Sequence, residues 1–252
     1  YTFRDASEST VYNGCFMRKI FNHALVNEID ITTESIEGKR YYVLPDGRKF
    51  RSVTTVLSDA LDKTALYEWR KRVGDSEANK ISTQAARRGT AVHSIAERYV
   101  LNEDNYARDA MPSGLDAFNS IKSILDSRVG TILGVELPLY SVALNTAGRC
   151  DLIAEFDGVP SVVDFKTSRK LKKEEWIESY FLQTTVYSMM FEWIYKIAVP
   201  QIVNMYERLY RLQKNEKFDF SEMKKFPVSF NGSCITRYIK EHPQQENSDL
   251  MY

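Results

Sequence analysis

The sequence predicts an α/β (α+β) fold in which a mixed central sheet is flanked by helices. Three observations predict it. Apolar residues recur at helical spacing from Ser52 to about Ser127. The period then changes to two over 131–144, 147–156 and 159–167, which predicts three consecutive strands. A strongly apolar, aromatic-rich helix from Glu174 to about Tyr195 and a further strand at Gln201–Leu209 complete a helix–sheet–helix–strand order.

The elements follow in chain order. Residues 29–53 alternate in short runs separated by Glu37-Gly38-Lys39 and Pro45-Asp46-Gly47-Arg48, which predicts a hairpin or small wing. Leu66, Trp69 and Val73 are spaced to share one helix face. A long helix is predicted from about Ser76 to Leu101, broken or bent near Gly89, and another over about Leu115–Ser127. The tail after His242 is polar and reads as loose. Residues 1–60 form an N-terminal extension in this reading, and 61–252 one compact unit.

Composition narrows the classes. The 252 residues hold 34 basic and 34 acidic side chains, so any nucleic-acid contact must be local rather than spread over the whole surface. The basic clusters Arg70-Lys71-Arg72, Arg87-Arg88 and Arg169 through Lys173, each taken alone, read as solvated faces. Cys15, Cys150 and Cys234 form no CxxC pair, which argues against a zinc ribbon and against an iron–sulfur cluster. Sparse cysteine fits a reducing, intracellular compartment. No stretch is apolar and long enough to span a bilayer, and no N-terminal segment reads as a secretory signal.

The informative feature is the join between the second and third strands. Asp157-Gly158 between alternating segments is a strong signal for a two-residue type I′ turn. Counting outward, Phe156 faces Val159, Glu155 faces Pro160, and Asp151 faces Asp164. Pro160 then falls at a non-hydrogen-bonded position, where its missing N–H costs no ladder bond. Asp151 and Asp164 fall at the closer kind of pair, with Cα atoms roughly 4.5 Å apart. Lys166 projects from the same face as Asp164, and Ile153 and Val162 flank the group. Like charges directly opposed on a sheet are destabilising, and a divalent cation would relieve them. Hard oxygen ligands suit Mg²⁺ or Mn²⁺, which acidifies a bound water and neutralises charge on a phosphoryl oxygen.

The neighbouring residues extend this cluster into a pattern. Gly148-Arg149-Cys150-Asp151 followed by Asp164-Phe165-Lys166-Thr167-Ser168 resembles motifs II and III of the PD-(D/E)XK nucleases, which have a restriction-endonuclease-like core. Gln183-Thr184-Thr185-Val186-Tyr187 resembles the QxxxY motif of the RecB-like exonuclease branch. Arg88-Gly89-Thr90-Ala91-Val92-His93 resembles the helix motif GxxxH of that branch, and Val135-Glu136-Leu137-Pro138-Leu139 the strand before motif II. The stretch 42–56 (YVLPDGRKFRSVTTV) further resembles the mitochondrial single-strand DNA exonucleases and their phage relatives.

The resemblance implies a nuclease domain over 61–252 and a metal-dependent DNA exonuclease that works on single strands or free ends in recombination, replication or repair. It implies Asp151 and Asp164 as metal ligands, the Phe165 carbonyl as a third and His93 as a further ligand or organiser, with Lys166 as the catalytic lysine. Asp164 stands where many superfamily members carry Glu. Gln183 and Tyr187, neighbours at i and i+4 on one helix face, are expected to contact DNA phosphate or support the lysine. Arg88 and Arg169, with Arg87 and Lys170, are expected to track the backbone. Glu97, one turn from His93, would ligate the metal or hold the imidazole, and Glu136 would support the ligands from behind or face solvent. Trp69, Trp176 and Trp193 are of the type that stacks on bases, although Trp193, in its apolar helix, reads as core. The implied location is the cytoplasm, that of the host for a phage protein, with the mitochondrion as the alternative. Protein partners are not implied.

Overall fold

The computed structural model describes residues 18–60, 62–168, 178–206 and 225–227. Cys15, Cys234, Trp176, the basic run Arg169 through Lys173 and the polar tail lie outside the described residues.

The chain begins with a three-stranded antiparallel meander, β1 (Thr32–Ile36), β2 (Lys39–Val43) and β3 (Lys49–Ser52). Helices α1 (Val53–Ala60), α2 (Thr64–Val73), α3 (Asp75–Val100) and α4 (Pro112–Arg128) follow. Then come β4 (Val129–Ser141), β5 (Thr146–Phe156), β6 (Val159–Lys166), α5 (Glu178–Tyr195), β7 (Gln201–Tyr206) and β8 (Lys225–Pro227). One eight-stranded mixed sheet runs β1-β2-β3-β5-β6-β7-β8, with β4 paired to β5. The predicted wing is therefore part of the main sheet, because β3 pairs in parallel with β5 through Arg51↔Thr146 and Ser52↔Ala147.

The β5–β6 hairpin is built as its turn dictates. Asp157 and Gly158 have φ of 52° and 75°, the left-handed pair that a type I′ turn requires. The register runs Phe156↔Val159, Glu155↔Pro160, Ala154↔Ser161, Ile153↔Val162 and Leu152↔Val163. Alternation then sorts the two faces. Leu152, Ala154, Val163, Phe165, Val203 and Met205 pack with Val92, Ile95, Tyr99 and Phe118 of α3 and α4. Ile153, Val162 and Ile202 pack with Tyr187, Met190 and Phe191 of α5. With both faces covered, β5 and β6 are buried almost throughout, as strands in the middle of a layered fold must be. The parallel pair β6–β7 needs a crossover, which α5 supplies.

A segment ahead of the meander straps the outer edge of β4. Ala24 and Val26 donate backbone hydrogen bonds to the carbonyls of Ile132 and Leu133, and Ile132 donates to Asn22. Phe21, 2% exposed, anchors the strap, and its backbone is bonded on both sides by the Asn102 amide.

Three expectations need correction. Helix α3 runs unbroken through Gly89: a Cβ there would lie 3.5 Å from the Thr167 hydroxyl, so the small residue serves close approach to the end of β6 rather than a break. Trp193 is not core but 65% exposed, with the Lys196 ammonium 4.7 Å from its ring. The shared face of Leu66, Trp69 and Val73 forms, but α2 buries no residue.

Gly158 is surrounded by open space, so Gly158→Ala tests the backbone alone. The variant is expected to lose about 1–2 kcal/mol of stability, read as a lower urea midpoint with an unchanged denaturant slope.

Candidate active site

The site is built where β5 changes neighbours. Thr146 and Ala147 pair with β4 on one edge and with β3 on the other. From Leu152 onward that second edge belongs to β6. Residues 148–151 lie between the two, and among the described residues no strand pairs with them there.

Asp151 closes the ladder. Simple continuation would pair Asp151 with Asp164 and give the Phe165 amide to the Cys150 carbonyl. Instead the ladder ends one step earlier, at Leu152↔Val163, and the Phe165 N–H donates to Asp151 Oδ2 at 2.8 Å. The expected register thus holds as far as Leu152↔Val163, and the ladder stops short of the two aspartates. A side-chain acceptor has replaced a main-chain one, and β6 is free to diverge. The β4 side is disturbed at the same level: pairing passes from Val135↔Leu152 to Leu137↔Cys150, and Glu136 between them has φ of 47°. A left-handed residue of this kind costs roughly 1–2 kcal/mol. Its carboxylate lies with His93 and Asp151, ligand atoms all within 4.8 Å of one another.

On the α5 face, the Lys166 ammonium sits 2.6 Å from Asp164 Oδ2 and 3.3 Å from Gln183 Oε1, and 4.9 Å from the centre of the Tyr180 ring. Gln183 donates from its amide nitrogen to Asp164 Oδ1 at 3.4 Å. Asp164 is 1% exposed, and its Oδ2 receives the charge of Lys166 without a directed hydrogen bond. One turn along α5, Tyr187 is buried against Gly148, where a Cβ would fall 2.5 Å from the ring. The glycine of the Gly148-Arg149-Cys150-Asp151 string is thus the seat of the tyrosine of the QxxxY string.

From α3, His93 Nε2 lies 2.8 Å from the Phe165 carbonyl and Nδ1 lies 3.4 Å from Asp151 Oδ2. Burial opposes charge on the imidazole, but the hydrogen bond and charge of Asp151, with Asp164 beyond, outweigh it and raise His93 to about 9. Burial, reinforced by Asp151, raises Glu136 to about 7. Burial also lifts Asp164 to about 6, against the pull of Lys166. Lys166 is burdened by burial too, yet the carboxylates of Asp164 and Asp151 keep its affinity for a proton above the ordinary value. Lys166 is therefore a cation at neutral pH.

The structure gathers most of the residues expected at the site. His93, Glu136, Asp151, Gln183 and Tyr187 line one cleft of roughly 400 Å³, and Glu97 lines an adjoining one of roughly 450 Å³ with His93 and Glu136. Glu136 is half-buried and lines both clefts. Asp164 is ion-paired with Lys166 and is not one of the three residues, His93, Glu136 and Asp151, whose ligand atoms gather within 4.8 Å of one another. Tyr187 is 3% exposed and supports the site from below. Arg88 lies half-buried on α3, five residues before His93, and Arg169 lies outside the described residues. Sequence reasoning missed Arg40, Arg149, Thr33, Ser52 and Thr54, which complete the first cleft. Only proximity in space singles out Thr33 and Arg40, whereas Ser52 and Thr54 stood inside the quoted stretch 42–56 and Arg149 inside a quoted motif.

Oxygen-rich, with one imidazole, the donor set of His93, Glu136, Asp151 and the Phe165 carbonyl fits a hard divalent cation. Asp164 Oδ2, buried and ion-paired with Lys166 but without a well-directed hydrogen bond, is a further oxygen of the same hard type. A mixed sheet flanked by helices, with Asp-x-Lys on one strand and Asp on its neighbour, defines a nuclease class. Residues 63–246 match the PD-(D/E)XK nuclease superfamily, and the chain belongs to it. That superfamily cleaves nucleic acids and generally uses divalent metals. No curated protein matches the chain. No helix among the described residues is long and apolar enough to cross a membrane.

Two predictions follow from this geometry. His93, Glu136 and Asp164 all hold protons more tightly folded than unfolded, where ordinary values are 6.5, 4.5 and 3.8. Their contributions are complete below those ordinary values and are lost as pH rises through about 9 for His93, about 7 for Glu136 and about 6 for Asp164. Without divalent cations the melting temperature should fall from about pH 5 to about pH 9, and Glu136→Gln should flatten the slope below about pH 7. Gly148→Ala should destabilise by about 1–3 kcal/mol, because the Tyr187 ring must move, and thermal melts read the loss directly.

Proposed function

We propose that the chain is a Mg²⁺- or Mn²⁺-dependent deoxyribonuclease, an exonuclease of the RecB-like branch acting on single-stranded DNA or free ends in recombination, replication or repair. The observation that carries this reading is the cluster of Asp151, Asp164 and Lys166 at the break in the sheet, faced by His93 and Glu136. Three carboxylates held so close are costly to keep together in the fold unless a cation joins them. His93, Asp151, the Phe165 carbonyl and Asp164 would hold the cation, with Glu136 beside them and Glu97 one turn from the imidazole. When bound, the cation supplies an acidified water and charge neutralisation at the scissile phosphate.

The chain's own residues do the rest. Lys166, protonated and held between Asp164, Gln183 and the Tyr180 ring, stabilises negative charge that grows on the phosphate in the transition state. It acts as an electrostatic partner rather than a base, since its neighbours strengthen its hold on the proton. Gln183 fixes Lys166 relative to Asp164, and Tyr187 braces Gly148 so that Asp151 meets the Phe165 amide. His93 gives up a proton when the cation enters, so metal affinity should climb with pH. Arg88 and Arg169 are the candidates for backbone contacts, which would be salt-dependent and indifferent to sequence.

Lys166→Ala should lower the rate on end-labelled linear single-stranded DNA by at least about 10³-fold with Mg²⁺ present, and EDTA should abolish wild-type activity. Intact circular single-stranded DNA in the same assay supports the exonuclease, whereas nicking of circles would assign an endonuclease. Binding without cleavage by both wild type and variant would make the chain a non-catalytic subunit.

A further inference from the structure

The meander lies ahead of the matched residues 63–246, yet it forms a wall of the cleft that holds Asp151 and Glu136. Thr33 of β1 pairs with Tyr42 of β2, and Arg40 stands two residues from Tyr42 on the same face of the strand. All three line the cleft, and Arg40 also lines the adjoining one with His93 and Glu136. Arg40 thus stands where the two clefts meet, in front of the carboxylate cluster.

Its charge differs from that of its neighbours. The other basic residues of the meander are each ion-paired: Lys39 and Arg51 share Asp59, Arg48 pairs with Asp46, and Lys49 with Glu34. The Arg40 side chain is exposed and has no ion pair or hydrogen bond among the described residues. Across the cleft Arg149, also exposed, donates one bond to the Glu136 carbonyl at 3.0 Å, which aligns its guanidinium with the same space. Thr33, Ser52 and Thr54 add hydroxyl groups to the lining. Two guanidinium groups and several hydroxyls beside a cation-binding cluster make a receptor for phosphate oxygens, which arginine binds bidentately.

Resting on the nuclease reading, we propose that Arg40, seconded by Arg149, binds a phosphate of the substrate strand adjacent to the scissile one. The meander is then a working wall of the active site. The phosphate is either an internal diester or a terminal monoester of the strand, and the two share this chemistry.

The test is a salt titration of binding to a short labelled single strand, in the Lys166→Ala protein so that the strand survives. Each phosphate contact on a single strand contributes about 0.7 to the slope of log affinity against log salt. Adding Arg40→Ala should reduce that slope by about 0.7, and adding Arg40→Lys should restore it. In the otherwise wild-type protein Arg40→Ala should raise KM for DNA by about tenfold. Thermal melts should be unmoved, because the side chain is exposed. Loss confined to strands bearing a terminal phosphate assigns the monoester, and equal loss on both kinds of strand assigns the diester. An unchanged slope and KM, in a preparation whose wild type cleaves DNA, overturns the proposal. A wild type that fails to cleave defeats the nuclease reading instead, which separates the two failures.

Discussion

One hydrogen bond, from the Phe165 amide to the Asp151 carboxylate, decides where the sheet stops pairing and the site begins. Had the Cys150 carbonyl kept that amide, β6 would have stayed in register beside β5. Asp151 and Asp164 would then face each other squarely. By taking the amide onto its own side chain, Asp151 ends the ladder and fixes its carboxylate in one orientation. It also leaves the stretch from Gly148 onward for Tyr187 to brace. Glu136 on the opposite neighbour answers with a left-handed backbone. The same bond explains the orientation of the Phe165 carbonyl, whose companion amide is already held and which meets His93 at 2.8 Å.

The charges of the cluster act on one another at short range, three carboxylates against two cationic groups. Asp151, Asp164 and Glu136 face His93 and Lys166, and each group's hold on its proton is set by the others together with burial. Protons and a divalent cation therefore compete for the same oxygens and the same imidazole. A chain with equal numbers of acidic and basic residues has no net charge to draw a polyanion in. Attraction of a polyanion then falls to local clusters of basic side chains, and Arg40 and Arg149 line the cleft.

Much of this was legible in the sequence because it depends on local chemistry. Asp157-Gly158 specifies one turn, the turn specifies one register, and the register places Asp151, Asp164 and Lys166 on one face. What was not legible involves competition or distance. Counting could not foresee that a side chain would replace the Cys150 carbonyl, since both are good acceptors for one amide. Gly89 looked like a helix breaker, but a glycine in a helix can equally admit a neighbour, here Thr167. Trp193 sits in an apolar helix whose inner face is already filled by Met190 and Phe191. Arg40 is separated from Asp151 by more than a hundred residues, and only the parallel pairing of β3 with β5 brings them to one cleft.

The strap across β4 matters for how the protein behaves in a crowd. A strand of thirteen residues with one edge bare would offer a long row of unpaired amides and carbonyls to any other chain. The segment around Ala24 and Val26 occupies part of that row, and Phe21 and Asn102 pin it in place. Beyond stabilising its own fold, the strap acts as a guard against edge-to-edge aggregation, leaving the sheet to meet its substrate in the cleft rather than other copies of itself along β4.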